Sequence, residues 1–375
     1  MVKKFKITTI LGTRPELIRL SNVISSFDKV FDHRLIHTGQ NSDPNLSDIF
    51  FEELDIRKPN KFINIESDSL GVFLGKLFIE IDTELYDNKP DALVILGDTN
   101  SALSAILAKR KGIPVYHLEA GNRSFDENVP EEINRRIIDH FADFNLAYTQ
   151  HGKENLLREG LHPRDIIVIG SPLREVLNRY STKIENSPIL SQLNLEAKKY
   201  FLVSVHRQEN VDNPERLKQI IASLNRIALN FKMPVVVSTH PRTKEKLEAL
   251  DISLNKLLIF HPPFGFFAYN KLQKESRVVL SDSGSVSEES AILNFPAITI
   301  RNSMERPEAL ESGSIILSGI EENGILRSIF VLESSNPSSR PPEEYSIPDT
   351  SNRVVRFISS TLQQHNFWSG LRKSI

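Results

Sequence analysis

The chain has no cysteine. That absence excludes disulfides, thiolate nucleophiles and zinc sites built on sulfur ligands. It also lacks any apolar run near the ~18 residues of a transmembrane helix, so no membrane partner is expected. The stretch from Ile7 to Leu11 is too short for a signal-peptide core and ends in a Gly-Thr-Arg-Pro turn, which favours a cytoplasmic protein. Charge of one sign is missing too: 48 acidic side chains oppose 46 basic ones, for a formal charge of −2. A nucleic-acid partner is therefore not expected, and any phosphate must be met by a local cluster of cations. Neither G-x-G-x-x-G nor a Walker lysine motif occurs, which removes the usual dinucleotide and P-loop signatures. No H-E-x-x-H pair occurs among the ten histidines, and neither metal nor cofactor is expected.

What is present is length and alternation. A chain of 375 residues with 39% apolar and 25% charged side chains suits two globular domains with substantial cores. In the first half, strand-like runs at Phe5–Leu11, Arg34–Thr38, Ala92–Leu96, Pro114–Leu118, Asn145–Tyr148 and Ile166–Ile169 alternate with helix-like segments, among them Glu16–Phe27 and Ser101–Lys111. The second half repeats the pattern at Phe201–Val205, Pro234–Thr239, Leu257–Phe260, Val278–Leu280 and Ala297–Ile300. Its helices fall at Pro214–Asn230, Ala268–Lys274 and Ser285–Leu293. Short apolar runs separated by helices mean βαβ units with parallel strands. The fold class is α/β, with two Rossmann-like domains whose parallel sheets face a central cleft. Ser171–Ala197 reads as the connection, Ser334–Thr350 as a loop, and Asn352–Gln364 as a final helix.

Polar clusters follow the apolar runs, where the carboxyl ends of parallel strands form a ligand crevice. Gly12-Thr13-Arg14-Pro15-Glu16 opens the first helix. Its N-terminus and Arg14 suit an anion, although a plain strand-to-helix turn capped by Thr13 reads equally well. Asp98 in Gly97-Asp98-Thr99 reads as acid–base group or helix cap. Glu119 precedes Ala120-Gly121 with no helix to cap, which makes it the stronger candidate. Glu131 sits in a helical first turn, where acids complement the macrodipole, behind a loop at Asn122–Val129 with the character of a lid. His206-Arg207 and His240 end strands in the second half, as phosphate ligands or acids. Ser281-Asp282-Ser283-Gly284-Ser285 leads into a helix whose amides form an anion cradle, with Glu289 a turn further on for ribose hydroxyls. The segment does not resemble a G-x-S-x-G nucleophile elbow, so a serine hydrolase drops out.

Taken in order, Gly12–Glu16, Gly97–Thr99, Glu119–Gly121, Pro130–Arg135, His206-Arg207, Asp282–Glu289 and Glu305–Glu308 resemble the non-hydrolysing UDP-N-acetylglucosamine 2-epimerase family across nearly the whole chain. The resemblance implies a GT-B-like fold and a homodimer that takes a UDP-sugar and needs no cofactor. It implies an N-terminal domain at 1–172 plus 366–375 and a UDP-binding domain at 173–365. UDP is expelled from C1 as a base removes the C2 proton, and re-addition after protonation from the other face inverts C2. By the same resemblance Asp98, Glu119, Glu131 and His206 are catalytic. Arg14, Arg19, Arg135, His240, Ser283, Gly284, Ser285, Glu289 and Arg306 bind substrate. Arg19, where members acting on UDP-GlcNAc often carry lysine, and the short loop after Gly121 look closer to the branch that makes UDP-N-acetyl-L-fucosamine from UDP-2-acetamido-2,6-dideoxy-L-talose for capsule and O-antigen. The alternatives are a UDP-GlcNAc/UDP-ManNAc 2-epimerase and a GT-B glycosyltransferase.

Overall fold

A computed structural model of the protein describes residues 3–40, 44–65, 67, 69–239, 241–248, 250, 252–335 and 340–371. The chain forms two compact units, Met1–Asn178 with Ser346–Ile375, and Arg179–Tyr345.

In the first unit, β1 (Lys6–Leu11), β2 (Asp32–His37), β3 (Lys61–Phe62), β4 (Ala92–Leu96), β5 (Val115–Leu118), β6 (Phe144–Ala147) and β7 (Ile166–Val168) form one parallel sheet in the order β3-β2-β1-β4-β5-β6-β7. The apolar runs read in the sequence are these strands, buried on both faces as a parallel sheet under helices requires. The order reverses between β1 and β4, which opens a crevice at their carboxyl ends.

The second unit repeats this design. Its strands are β8 (Phe201–Ser204), β9 (Val235–Ser238), β10 (Leu258–His261), β11 (Val278–Ser281), β12 (Ala297–Thr299) and β13 (Ile315–Leu317). They lie in the order β10-β9-β8-β11-β12-β13, with the switch between β8 and β11. Each unit is thus a Rossmann-like α/β domain. The helix Pro214–Phe231 illustrates the local physics. The Asn213 side chain accepts from the amides of Glu215 and Arg216 at 3.0 and 3.2 Å, and proline follows in the first turn. Leu217, Ile220, Ile221, Leu224 and Ile227 recur at helical spacing and are buried with Phe201, Val203, Val235 and Leu280 of the sheet. Each such side chain contributes roughly 1.5–3 kcal/mol. The helix ends at Lys232, whose φ of 51° is left-handed.

Some elements differ from the sequence expectation. The helix read at Ser101–Lys111 is two pieces, Asn100–Leu103 and Ile106–Arg110, because the Ser104 hydroxyl donates to the Ser101 carbonyl at 2.6 Å and competes with the ladder. β13 and the helices Leu70–Asn88 and Glu322–Ser334 were not legible. The first long helix carries apolar residues on its exposed face and Gly71 and Gly75 in its first turns, which blurs its period. The helix Thr350–Thr361 packs on the helix Arg14–Val30 of the first unit. Thr361 pairs with Tyr116 at 2.8 Å, and Glu175 accepts from the Ser351 amide and hydroxyl at 2.9 and 2.6 Å.

Candidate active site

At the first switch point, the turns after β1 and β4 are tied together by Glu16. This buried carboxylate accepts from the amides of Gly12 and Thr13 at 3.0 and 2.8 Å and from the Thr13 hydroxyl at 2.7 Å. Its other oxygen takes the Thr99 hydroxyl at 3.1 Å. Burial pushes the Glu16 pKa up to about 7, although those hydrogen bonds pull the other way. Gly12 is there because of a close approach: a Cβ would lie 2.2 Å from both Ser101 Oγ and Thr38 Oγ1. Arg14, on the same turn, is exposed, with its guanidinium 5.4 Å from the centre of the Phe50 ring.

Asp98 is half-buried and forms an ion pair with buried Arg135 of the helix Pro130–Phe141. Asn134 of that helix donates to the Asp98 carbonyl and to Asn100 Oδ1, both at 3.0 Å. Glu119, at the end of the neighbouring strand, is 8% exposed and adopts φ 67°. That left-handed backbone is costly for any side chain with a Cβ, and such strain persists where surroundings over-determine it, often at functional sites. Arg19 Nε lies 3.5 Å from Glu119 Oε2. Two acids at the ends of adjacent strands thus each face a buried arginine. Glu131, by contrast, is exposed in the first turn of its helix, and the buried acid there is Glu132. Glu132 takes the amide and hydroxyl of Ser124 at 2.8 and 3.1 Å and Arg135 at 3.3 Å.

Behind both acids runs a buried charged network. His117 faces the Gly97 carbonyl with Nε2 at 2.8 Å and Asp139 with Nδ1 at 2.9 Å. Asp139 also takes Arg123 at 2.7 Å and the Gly121 amide at 3.2 Å. Burial pushes the Asp139 pKa up, but His117 and Arg123 outweigh it and hold the carboxyl below its usual range.

In the second unit the turns after β8 and β11 meet around Asp282, which is fully buried. It accepts from the His206 and Arg207 amides at 3.1 and 3.0 Å and from the Asn210 side chain at 3.0 Å. His206 is exposed, with Nδ1 3.3 Å from Asp282, so Nε2 is the ring nitrogen directed away from that carboxylate. Ser283, Gly284 and Ser285 form the N-terminus of a nine-residue helix. The Ser283 and Ser285 hydroxyls are 3.0 Å apart. Arg306 donates to the Gly284 carbonyl at 3.1 Å and pairs with Glu288 at 2.6 Å. Arg301 grips Glu305 with two 3.0 Å bonds, and Arg207 reaches the same carboxylate at 3.1 Å. Helix amides with the Arg207 and Arg306 guanidiniums both 3.8 Å from where a Gly284 Cβ would stand are suited to a phosphate or diphosphate.

The structure therefore groups Arg19, Asp98, Glu119 and Arg135 in one unit, and His206, Ser283, Gly284, Ser285 and Arg306 in the other. Glu289 is half-buried and accepts from Gln273 at 2.5 Å. His240 lies outside the described residues. Sequence reasoning passed over Glu16, His117, Asp139 and Glu288 as site-building groups. Their signal was adjacency to the chosen residues, but burial decides which of two neighbouring acids turns inward. One H-x-x-x-H spacing does exist, His33 to His37. It falls on β2, where four residues span about 13 Å. His33 there faces Asp28 at 2.6 Å and His37 stacks on Phe62 at 4.8 Å. Among the described residues no group of three His, Cys, Asp or Glu could hold a metal ion, and no helix is long and apolar enough to cross a membrane.

This constellation can be compared with known proteins. The family model described as UDP-N-acetylglucosamine 2-epimerase matches residues 26–359. The chain belongs to that family. Its members are isomerases, and this protein is a UDP-sugar 2-epimerase by family. The UDP-N-acetylglucosamine 2-epimerase of Methanocaldococcus jannaschii is 38% identical over 363 residues, 94% of this chain and 99% of the relative. A crystal structure of the M. jannaschii UDP-GlcNAc 2-epimerase in complex with UDP-GlcNAc and UDP matches with a TM-score of 0.89 and 37% identity, over 95% of this chain and 99% of that one. The structure of UDP-N-acetylglucosamine 2-epimerase from Rickettsia bellii matches with a TM-score of 0.90 and 40% identity, over 97% and 98% of the two chains. A UDP-2,3-diacetamido-2,3-dideoxy-D-glucuronate 2-epimerase from Pseudomonas aeruginosa is 35% identical, over 86% of this chain and 91% of the relative. The epimerase family has thus diversified in the sugar its members act on.

Proposed function

We propose that this protein inverts C2 of a UDP-N-acetylhexosamine by eliminating and re-adding UDP, with UDP-GlcNAc and UDP-ManNAc as the interconverted pair. The observation that carries the reading is the pair of acids, Asp98 and Glu119, on adjacent strand ends, each against a buried arginine. A carboxylate takes the C2 proton while the C1–O bond breaks and its electron pair leaves with UDP. A carboxyl group then returns a proton to the opposite face of C2, and a UDP oxygen re-forms the bond to C1. Arg135 and Arg19 orient the two acids, and Glu131 completes the acid–base set from the start of its helix. The diphosphate charge that develops is met by the Ser283–Ser285 helix N-terminus, Arg306, His206 Nε2 and Arg14, while Glu289 takes the ribose. His240 belongs to the same binding set. The M. jannaschii relative, whose structure holds UDP-GlcNAc and UDP, supports this choice of sugar.

A second reading has its own observation. Arg19, buried 3.5 Å from Glu119, stands where lysine is usual in enzymes of the UDP-GlcNAc branch, and a guanidinium fork orients a carboxylate differently from an ammonium. It favours UDP-2,6-dideoxy-L-talo-HexNAc as substrate and UDP-N-acetyl-L-fucosamine as product, for surface polysaccharide.

We further infer a cytoplasmic homodimer. The helix Leu70–Asn88 exposes Val72, Ile79 and Tyr86 by 50%, 69% and 70%, seven residues apart on one stripe, and a second copy would cover it.

Incubation in D2O with each UDP-sugar tests the reaction. Deuterium at C2 of intact UDP-sugar is expected, and the faster substrate identifies the sugar. Release of free monosaccharide, or no exchange with either sugar, would sink the proposal.

A further inference from the structure

Phe125 combines two properties that a folded chain seldom joins. Its side chain is 73% exposed, and its backbone holds φ 54°. The left-handed region is unfavourable for a bulky aromatic residue, and a loop with no task for the ring would carry glycine or asparagine there.

The residues on either side explain how the conformation is held. Arg123 is fully buried and bonded to Asp139 and Glu159 at 2.7, 2.8 and 2.6 Å. Ser124 gives both its amide and its hydroxyl to Glu132. After the phenylalanine, Asp126 accepts from the amide and side chain of Asn128 at 3.0 and 2.8 Å, and the Val129 amide closes on the Asp126 carbonyl at 3.1 Å. The loop is therefore braced on both sides while the ring between the braces is left in solvent.

Its position relative to the acids follows from the same bonds. Ser124 touches Glu132, Glu132 touches Arg135, and Arg135 pairs with Asp98. The loop itself leaves β5 through Glu119. Phe125 thus stands one residue from a hydrogen-bonded chain that ends on one candidate acid, and six residues from the other. An exposed aromatic ring on a loop bonded to the acid-bearing helix offers what a pyranose needs: an apolar surface for its C–H face near polar groups for its hydroxyls.

We propose that Phe125 is a specificity-determining residue whose ring packs against the hexosamine ring of the UDP-sugar and not against the nucleotide. This rests on the acid–base reading of Asp98 and Glu119.

The test compares wild type with Phe125→Ala, Phe125→Gly and Phe125→Tyr. Calorimetry measures the Kd of UDP and of UDP-GlcNAc separately, and steady-state kinetics measures KM and kcat. Phe125→Ala is expected to weaken UDP-GlcNAc binding and raise its KM by about tenfold, while the Kd of UDP changes less than about twofold. Phe125→Gly, which relieves the backbone but also lacks the ring, should behave like Phe125→Ala, and Phe125→Tyr should restore wild-type values. Equal weakening of UDP, unchanged UDP-GlcNAc binding in the Ala and Gly variants, or failure of Tyr to rescue would each overturn the proposal. The arms separate the two readings. Wild-type protein that binds UDP-GlcNAc but never exchanges C2 overturns the epimerase reading, and the binding comparison still decides Phe125.

Discussion

His117 and Asp139 form a buried pair, 2.9 Å apart, neither of them reached by solvent. Through the other ring nitrogen His117 holds the Gly97 carbonyl, next to Asp98, while Asp139 holds the Gly121 amide, two residues past Glu119. One pair thus sets the backbone around both acids. Arg135 and Asp139 lie four residues apart on one helix face, so the helix that pairs with Asp98 also anchors the network.

Removing the charge on Asp139 should therefore be expensive. Asp139→Asn deprives buried His117 of its carboxylate and leaves Arg123 with the Glu159 carboxylate, and is expected to destabilise the protein by about 3 kcal/mol or more. Urea unfolding of wild type and variant measures this. A loss below about 1 kcal/mol would mean that the network contributes little to the fold.

Glu119 carries the sharpest prediction about chemistry. Glu119→Gln keeps the side chain's shape beside Arg19 but removes its charge, and if Glu119 acts as proposed kcat should fall by about 10²–10⁴-fold. The Kd of UDP should stay within about twofold of wild type, since Glu119 is not among the residues proposed to meet the diphosphate. Near-normal turnover would remove Glu119 from the reaction.

His37 makes stability depend on pH. Burial pushes its pKa from 6.5 down to about 4, and its Nδ1 accepts from the Gly39 amide at 3.1 Å, as a neutral ring does. Above pH 6.5 neither the folded nor the unfolded chain binds the proton, so the group has no effect there. As pH falls below 6.5 the unfolded chain takes up the proton first, and stability drops by about 2 kcal/mol at pH 5. The decline levels off below about pH 4, where both states are protonated. His37→Phe should flatten this slope in urea midpoints taken between pH 7 and 5. Parallel slopes in the two proteins would assign the pH dependence to other groups.

The exposed stripe on the helix Leu70–Asn88 gives a test of assembly. Ile79→Glu puts a charge at the centre of the surface assigned to the second copy and should convert a dimer to a monomer in sedimentation velocity. A wild-type monomer, or a variant that remains dimeric, would reject the stripe as the interface.

Much of the fold was legible because parallel strands buried on both faces read as short apolar runs. Ala92–Leu96 is a β-strand with the bounds expected from sequence, and Val115–Leu118 and Val278–Ser281 differ from expectation by one residue. Three-residue β13 and the helix Leu70–Asn88 were not, since one is too short to show a period and the other is apolar on two faces. In the site, strand-end position pointed to Asp98, Glu119 and His206. It did not show that Glu132 and Glu288 are buried while Glu131 is exposed and Glu289 half-buried, because helix phase decides that between neighbours of one chemical type.

By itself the sequence determined that two parallel α/β sheets would form, that thiol chemistry is absent, and that acids and Ser/Gly turns stand at strand ends. Those properties depend on residue type and short-range period. Tertiary structure alone decided that Asp98 meets Arg135, that Glu119 sits in a left-handed backbone beside Arg19, and that His117 and Asp139 brace both acids. Such pairings join residues from 22 to 100 positions apart, and only the packing of strands and helices fixes which charged groups share a buried space.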